Sequence, residues 1–309
     1  MTGLLLLPLL LPFALPALAR RALDRLAPVA ALWALTVCAV VLAGCSLAAL
    51  GAFVLVGLFK LPLVAALGEL VRPLHTASDL VVLPAAATSV GVLSVCGWTL
   101  VRSVLRQTRA FRAARTQAGR GPAAGDLCVV DSPRPDAYAL PGRPHRIVVT
   151  TAMLRSLDGP EREALFAHER AHNDGGHHYF LAAAELAAHC HPALRPVRET
   201  IRLAAERAAD EAAAARVGDR RLTARAIARA ALAGQTTRSE RPDFAPAATT
   251  GPVPQRVQAL LAAAPRAPRA GRAVASLLLA CTAVSCVASV AGMADFHHRV
   301  EIAQGDESP

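Results

Sequence analysis

Four stretches of this chain, residues 3–19, 28–59, 80–101 and 273–293, contain no charged side chain. A segment surrounded by lipid must satisfy its backbone N–H and C=O groups internally, which restricts it to a helix or a closed barrel. A helix needs about 20 apolar residues to cross the hydrocarbon core. The last three stretches reach that length, and the first falls slightly short. The first also has the outline of a cleavable leader ending near Ala17-Leu18-Ala19. No basic residue precedes it and arginines follow it, so we read it as a retained span.

Arginine placement orients the spans. Arg20, Arg21 and Arg25 follow the first, Arg102, Arg106, Arg109, Arg112, Arg115 and Arg120 follow the third, and Arg266, Arg269 and Arg272 precede the fourth. Between the second and third lie only Lys60 and Arg72, offset by Glu69 and Asp79. The positive-inside rule then predicts a multi-pass protein of the cell membrane with both termini outside. Its parts are a membrane region (1–101), a cytoplasmic domain (102–272), a fourth span (273–293) and a short external tail (294–309). Residues 27–71 are apolar enough for two helices, with breaks at Gly44 or Gly51. Splitting them would put an arginine cluster outside, so one long span is expected, alone or with a re-entrant or interfacial helix.

The net charge of +10 is on this reading mostly a topology signal. A nucleic-acid partner would call for a basic face interleaved with aromatics, and none is present. The Arg102–Arg120 stretch instead suits anionic lipid headgroups, making the bilayer itself the expected partner. Of the seven cysteines, Cys38, Cys45, Cys96, Cys281 and Cys286 lie in apolar spans, where they act as small hydrophobes. Cys128 and Cys190 fall in a predicted reducing compartment, so no disulfide framework is expected.

The intervening domain reads as α+β. Asp126–Asp131, Ala137–Leu140 and Arg146–Thr150 are short strand candidates bounded by Pro- and Gly-rich turns. Alanine-rich helices are expected at 151–157, 160–173, 177–190, 196–217 and 220–233. Residues 234–253, rich in Thr, Pro, Ser and Gly, are read as a loop. The fold class is therefore α+β, about four membrane helices with an inserted, mainly helical domain carrying a small β-sheet.

Chemistry concentrates in His168-Glu169-Arg170-Ala171-His172. On a helix the two imidazoles project from one face a turn apart, so they can share one metal ion with Glu169 beside it as a base. Asp158-Gly159-Pro160-Glu161 supplies a capping residue, a first-turn proline and an early acid, and Asn173-Asp174-Gly175-Gly176 supplies the stop. A hydrolytic zinc site needs a third protein ligand and an open position. Glu206, on an alanine-rich helix that permits close approach, is the favoured third ligand. Asp210, a turn later, is placed to accept the other ring N–H of a ligating histidine. Glu185 with His189 is the rival pair. His189-Cys190-His191 is better read as a helix end before Pro192 than as a metal site. His177 and His178 open the next helix, where a surface or capping role competes with contact to an oxyanion or substrate.

His168-Glu169-x-x-His172 followed by Glu206-x-x-Ala209-Asp210 resembles the gluzincin metallopeptidases. More closely it looks like their integral-membrane branch, which includes the BlaR/MecR antirepressor sensor-transducers, the HtpX proteases and the CAAX prenyl proteases. Upstream, Asp136-Ala137-Tyr138-Ala139-Leu140-Pro141-Gly142 and Arg146–Thr150 resemble the strand pair before the zinc helix, with Asp136 where many members have Asn. Gln255–Leu261 looks like the short basic helix before the last span. The resemblance implies a zincin-like metalloprotease domain, one Zn2+ per chain and a peptide or protein substrate added as a strand to a sheet edge, here expected at Arg146–Thr150. Only Asp295–Pro309 follows the fourth span, with no Ser-x-x-Lys nucleophile, so an external β-lactam sensor domain is not expected. Three roles follow: regulated cleavage of a cytoplasmic repressor under a membrane sensor partner, HtpX-like quality control of membrane proteins, or a non-catalytic scaffold with a structural metal.

Overall fold

The computed structural model describes residues 2–59, 79–120, 123–234, 252–262 and 269–305. Its membrane-type helices are α1 (Thr2–Leu10), α2 (Leu15–Arg25), α3 (Pro28–Leu58), α4 (Asp79–Arg120) and, at the C-terminal end, α11 (Arg269–Gly305). A 3-10 turn at Leu11–Ala14, begun by Pro12, joins α1 to α2, so the two behave as one run. Four segments are long and apolar enough to cross a membrane: Gly3–Arg25, Pro28–Leu58, Val82–Gly119 and Gly271–Asp295. Residues 28–58 form one helix rather than two. The sequence candidates at 60–71 and 235–251 lie outside the described residues.

Contacts fix the relative directions of these helices. Ser46 Oγ donates to Pro8 O at 2.8 Å, which sets α1 antiparallel to α3. Gly292 abuts Leu5 and Gly271 abuts the Arg25 backbone, so α11 runs against α1–α2. Cys38 Sγ lies 3.8 Å from Leu278 O, and Cys45 Sγ lies 3.9 Å from Cys286 Sγ, so α3 and α11 run parallel. Gly57 meets Ala86, closing α3 and α4 into an antiparallel pair. Direction therefore alternates from segment to segment, as successive crossings require.

Helix α4 has 42 residues, roughly 60 Å at 1.5 Å per residue, about twice a bilayer core. Its second half therefore continues into the domain and covers one face of a sheet. That sheet comprises β1 (Ala123–Ala124), β2 (Leu127–Val130), β3 (Ala137–Leu140) and β4 (Arg146–Thr150), in the order β1-β2-β4-β3. The two-residue period of a strand divides its side chains between two layers. Tyr138, Leu140, Val148 and Cys128 pack under Ala114 and Ala118 of α4. Ala137 and Val149 face Met153, Leu157 and Leu165 on the other side.

The order corrects one expectation. Arg146–Thr150 is not an edge: β4 pairs with β2 in parallel and with β3 antiparallel, so both its sides are used. The outer edge beside the histidine helix belongs to β3. A crossover from β2 past β3 fills the middle position, and spacing along the chain does not encode that pairing.

The remaining helices are α5 (Thr151–Ser156), α6 (Gly159–Asp174), α7 (His177–Cys190), α8 (Arg195–Val217), α9 (Arg220–Gly234) and α10 (Val253–Leu261). Helix α6 starts with a full capping box, in which Asp158 Oδ1 accepts from Glu161 N at 2.9 Å and Asp158 N donates to Glu161 Oε2 at 3.1 Å. One core joins membrane and domain: Leu32, Leu35 and Leu42 of α3 pack with Leu15 of α2, Leu181 of α7, and Val197 and Ile201 of α8.

Candidate metal centre

Helix α6 carries His168, Glu169 and His172, all at most 1% exposed. Helix α8 packs against it through a face rich in alanine, with Ala204, Ala205, Ala208 and Ala209 buried. Those small side chains let the helix axes approach closely enough for a carboxylate to reach across. The structure thereby brings Glu206 to His168 and His172. His168 Nε2 and His172 Nε2 are 3.0 Å apart, and they lie 3.5 and 3.7 Å from the Glu206 oxygens. All three donor atoms fall within 4.8 Å of one another.

Tetrahedral zinc, with ligand bonds of about 2.0–2.1 Å, holds its donors about 3.3 Å apart. The three separations observed bracket that value. The chemistry of the surroundings fits as well. Three buried carboxylates, Glu169, Glu206 and Asp210, face one buried guanidinium, a formal excess of two negative charges that a divalent cation offsets. This donor set suits Zn2+, and a bound ion would be held by His168, His172 and Glu206.

Asp210 lies behind His168, its Oδ1 3.0 Å from His168 Nδ1. Arg256, from α10, completes the layer. Its Nε and Nη2 donate to the two Asp210 oxygens at 2.8 and 2.7 Å, and its Nη1 lies 3.0 Å from Glu206 Oε2. Burial favours neutral carboxyls, but the Arg256 charge and the histidine contacts outweigh it and hold Glu206 and Asp210 below the ordinary carboxylate range. Burial likewise opposes a proton on His168, yet Asp210 and Glu206 raise it to about 9. His172 lacks a carboxylate behind it, and burial drives it down to about 4.

Arg256 was not legible as a site residue in a chain so rich in arginine. One signal existed: it interrupts the apolar stripe Val253, Val257, Leu260 that packs α10 on Ile227 and Ala214. A cation on the buried face of a helix requires buried anions opposite it. The far end of α10 is anchored by Arg220, which donates to Leu260 O and Ala259 O at 2.9 and 3.1 Å while pairing with Glu211.

The other candidates are placed as follows. His177 is 5% exposed, with its Nδ1 2.8 Å from His172 Nδ1, so its contact is with a ligand. Burial lowers it to about 3. His178 is half-buried and stacks at 4.0 Å on Tyr179, outside the cluster. Glu185 pairs with His189 at 3.3 Å and with Arg198 at 2.9 Å in a separate group on α7 and α8. Cys190 ends α7, and Pro192 opens the following 3-10 turn.

Residues 106–195 match the family model of Peptidase family M48. The match contains His168, Glu169 and His172 and stops short of Glu206 and Asp210, whose place rests on spacing and geometry, and of Arg256, whose place rests on geometry alone. No curated protein and no solved structure gives a significant match to the chain.

Proposed function

We propose that this protein is a multi-pass membrane zinc endopeptidase of the His-Glu-x-x-His, gluzincin type. The observation that carries the reading is the convergence of His168, His172 and Glu206 beside a fully buried Glu169, which a purely structural metal site would not need. Zinc bound there supplies Lewis acidity toward a scissile carbonyl and acidifies water. The three ligands hold it, while Asp210 and Arg256 keep His168 and Glu206 in place. Glu169 takes the proton from the attacking water and delivers it to the leaving amine.

The substrate enters as an extended strand on the outer edge of β3. Thr150 N donates to Asp136 O at 3.0 Å, so that pair is hydrogen-bonded, and alternation then turns the N–H and C=O of Ala139 outward. This edge reads backbone rather than side chains, which suits cleavage within a polypeptide. Arginine placement supports a cytoplasmic domain, and a core continuous with α2 and α3 supports cleavage at the inner membrane surface. Regulated cleavage of a repressor-like cytoplasmic protein is the role we favour over membrane-protein quality control or scaffolding.

The test is Glu169→Gln in the full chain purified in detergent. Zinc content should stay at one per chain while cleavage of an unfolded protein substrate falls by ~100-fold or more. Undiminished cleavage in that variant would remove Glu169 from the mechanism, and a parent protein that takes up no zinc would remove the reading as a whole.

A further inference from the structure

The two imidazole ligands are supported differently. His168 has a carboxylate, Asp210, behind its Nδ1 at 3.0 Å, the usual outer partner of a metal-binding histidine. His172 has another imidazole: the Nδ1 atoms of His172 and His177 are 2.8 Å apart, with the rings near perpendicular at 84° and their centroids 4.8 Å apart. Both rings are buried.

The contact follows from the turn between α6 and α7. Gly176 adopts a left-handed φ of 60°, which reverses the chain and starts α7 immediately. His177, its first residue, thereby swings back over the last turn of α6. Its imidazole lies across Gly175, where an added Cβ would come 2.6 Å from His177 Nε2. Only a residue without a side chain at position 175 leaves the ring that place.

A short Nδ1···Nδ1 contact between neutral rings holds one proton, so one nitrogen donates and the other accepts. Were His177 the donor, His172 would carry its own proton on Nε2, the atom facing His168 and Glu206, and could not bind a metal. Metal binding through His172 Nε2 selects the opposite arrangement: that nitrogen gives its lone pair to the ion, so the single ring proton sits on Nδ1, 2.8 Å from His177 Nδ1.

We propose that His177 is the positioning residue for His172, accepting the His172 Nδ1–H at its own Nδ1 and so holding the second imidazole in its metal-binding tautomer. The inference rests on the zinc reading above. It gives His177 a role in metal binding rather than in contact with an oxyanion.

The experiment compares His177→Phe and His177→Asn with the parent in the full-length protein in detergent, titrated with zinc against a chromophoric chelator and, separately, with Co2+. Phenylalanine keeps the ring volume and removes the acceptor; asparagine places its Oδ1 near the position of the lost Nδ1. His177→Phe should bind zinc ~10–100-fold more weakly and alter the Co2+ visible absorption, and His177→Asn should recover most of both. Three outcomes overturn the proposal: unchanged zinc affinity in His177→Phe, equal losses in both variants (a packing role), or lost turnover with zinc affinity intact (a substrate contact). Because the parent is titrated in the same series, failure of the zinc reading itself is seen separately, as absence of uptake by unmodified protein.

Discussion

Arg256 is the residue whose removal tests the electrostatic layout of the centre most directly. It is fully buried, and its guanidinium serves Asp210 through two hydrogen bonds and Glu206 through a third contact. Arg256→Met keeps much of the volume and deletes the charge, leaving two buried carboxylates to share the His168 proton alone. Breaking a buried ion pair from one side costs ~3–5 kcal/mol. For a domain of this size, each kcal/mol moves the melting point by about 2–4 °C, so the metal-free variant should melt roughly 6–20 °C lower. A bound divalent ion partners Glu206 and leaves only Asp210 deficient, so zinc should shrink the loss to ~1.5–2.5 kcal/mol, about half. Melting followed with a thiol-reactive fluorophore reads this through Cys128, fully buried in the sheet, once the other six cysteines are replaced. Arg256→Lys, whose ammonium cannot span both carboxylates, should fall between. A metal-free Arg256→Met melting within ~2 °C of the parent would refute the reasoning, as would an identical shift with and without zinc, which would mark Arg256 as packing.

Two further predictions concern uptake of the metal and of the substrate. In the metal-free cluster His168 holds a proton, with Asp210 and Glu206 overcoming burial to raise it to about 9, whereas burial keeps His172 neutral above about 4. A coordinated imidazole must be neutral, so zinc binding between those limits releases one proton, and affinity should climb about tenfold per pH unit until it levels near pH 9. Competition titrations at several pH values check this, and a flat profile from pH 6 to 8 would contradict it. Ala139→Pro removes an outward N–H from the β3 edge without touching the β3–β4 ladder; because Ala139 is buried, melting is followed beside activity to separate lost pairing from lost packing. The substitution should reduce kcat/KM on polypeptides by ~10-fold, the value of one backbone hydrogen bond, and leave zinc affinity unaltered.

What the sequence disclosed and what it withheld divide along the range of the interactions involved. Helix α6 was legible because its cap, its periodic histidines and its terminating glycines all act within a few residues of one another. Glu206 and Asp210 were legible because a four-residue spacing on one helix mirrors the donor and its outer partner. The uncharged stretches disclosed the spans, and the alternating directions set by Ser46 with Pro8, Cys45 with Cys286 and Gly57 with Ala86 agree with that reading. Arg256 was hidden because its partners are 46 and 50 residues away on another helix, so only assembled packing shows that its charge is buried. Sheet order was hidden for the same reason: the turn between β3 and β4 predicts that they pair, but nothing local says that β2 takes the other side of β4.

The hidden contacts are also those that join the membrane helices to the chemistry. Arg115, on the part of α4 that extends beyond the apolar stretch, donates to Pro141 O at 2.7 Å, immediately after the substrate-edge strand. Ala114 and Ala118 of the same helix pack on Tyr138 and Leu140 of that strand. On the opposite side, α10 carries Arg256 into the centre and precedes α11, whose Val274 and Leu278 belong to the core shared with α3 and α8. A long helix and a buried charge thus reach the two parts that the proposed endopeptidase would have to align, the edge proposed to receive the peptide and the carboxylate proposed to hold the metal. These packing contacts make the apolar helices part of the same core as the domain that carries the site. Substitutions at Arg115 should therefore act on KM, and those at Arg256 on metal affinity and stability.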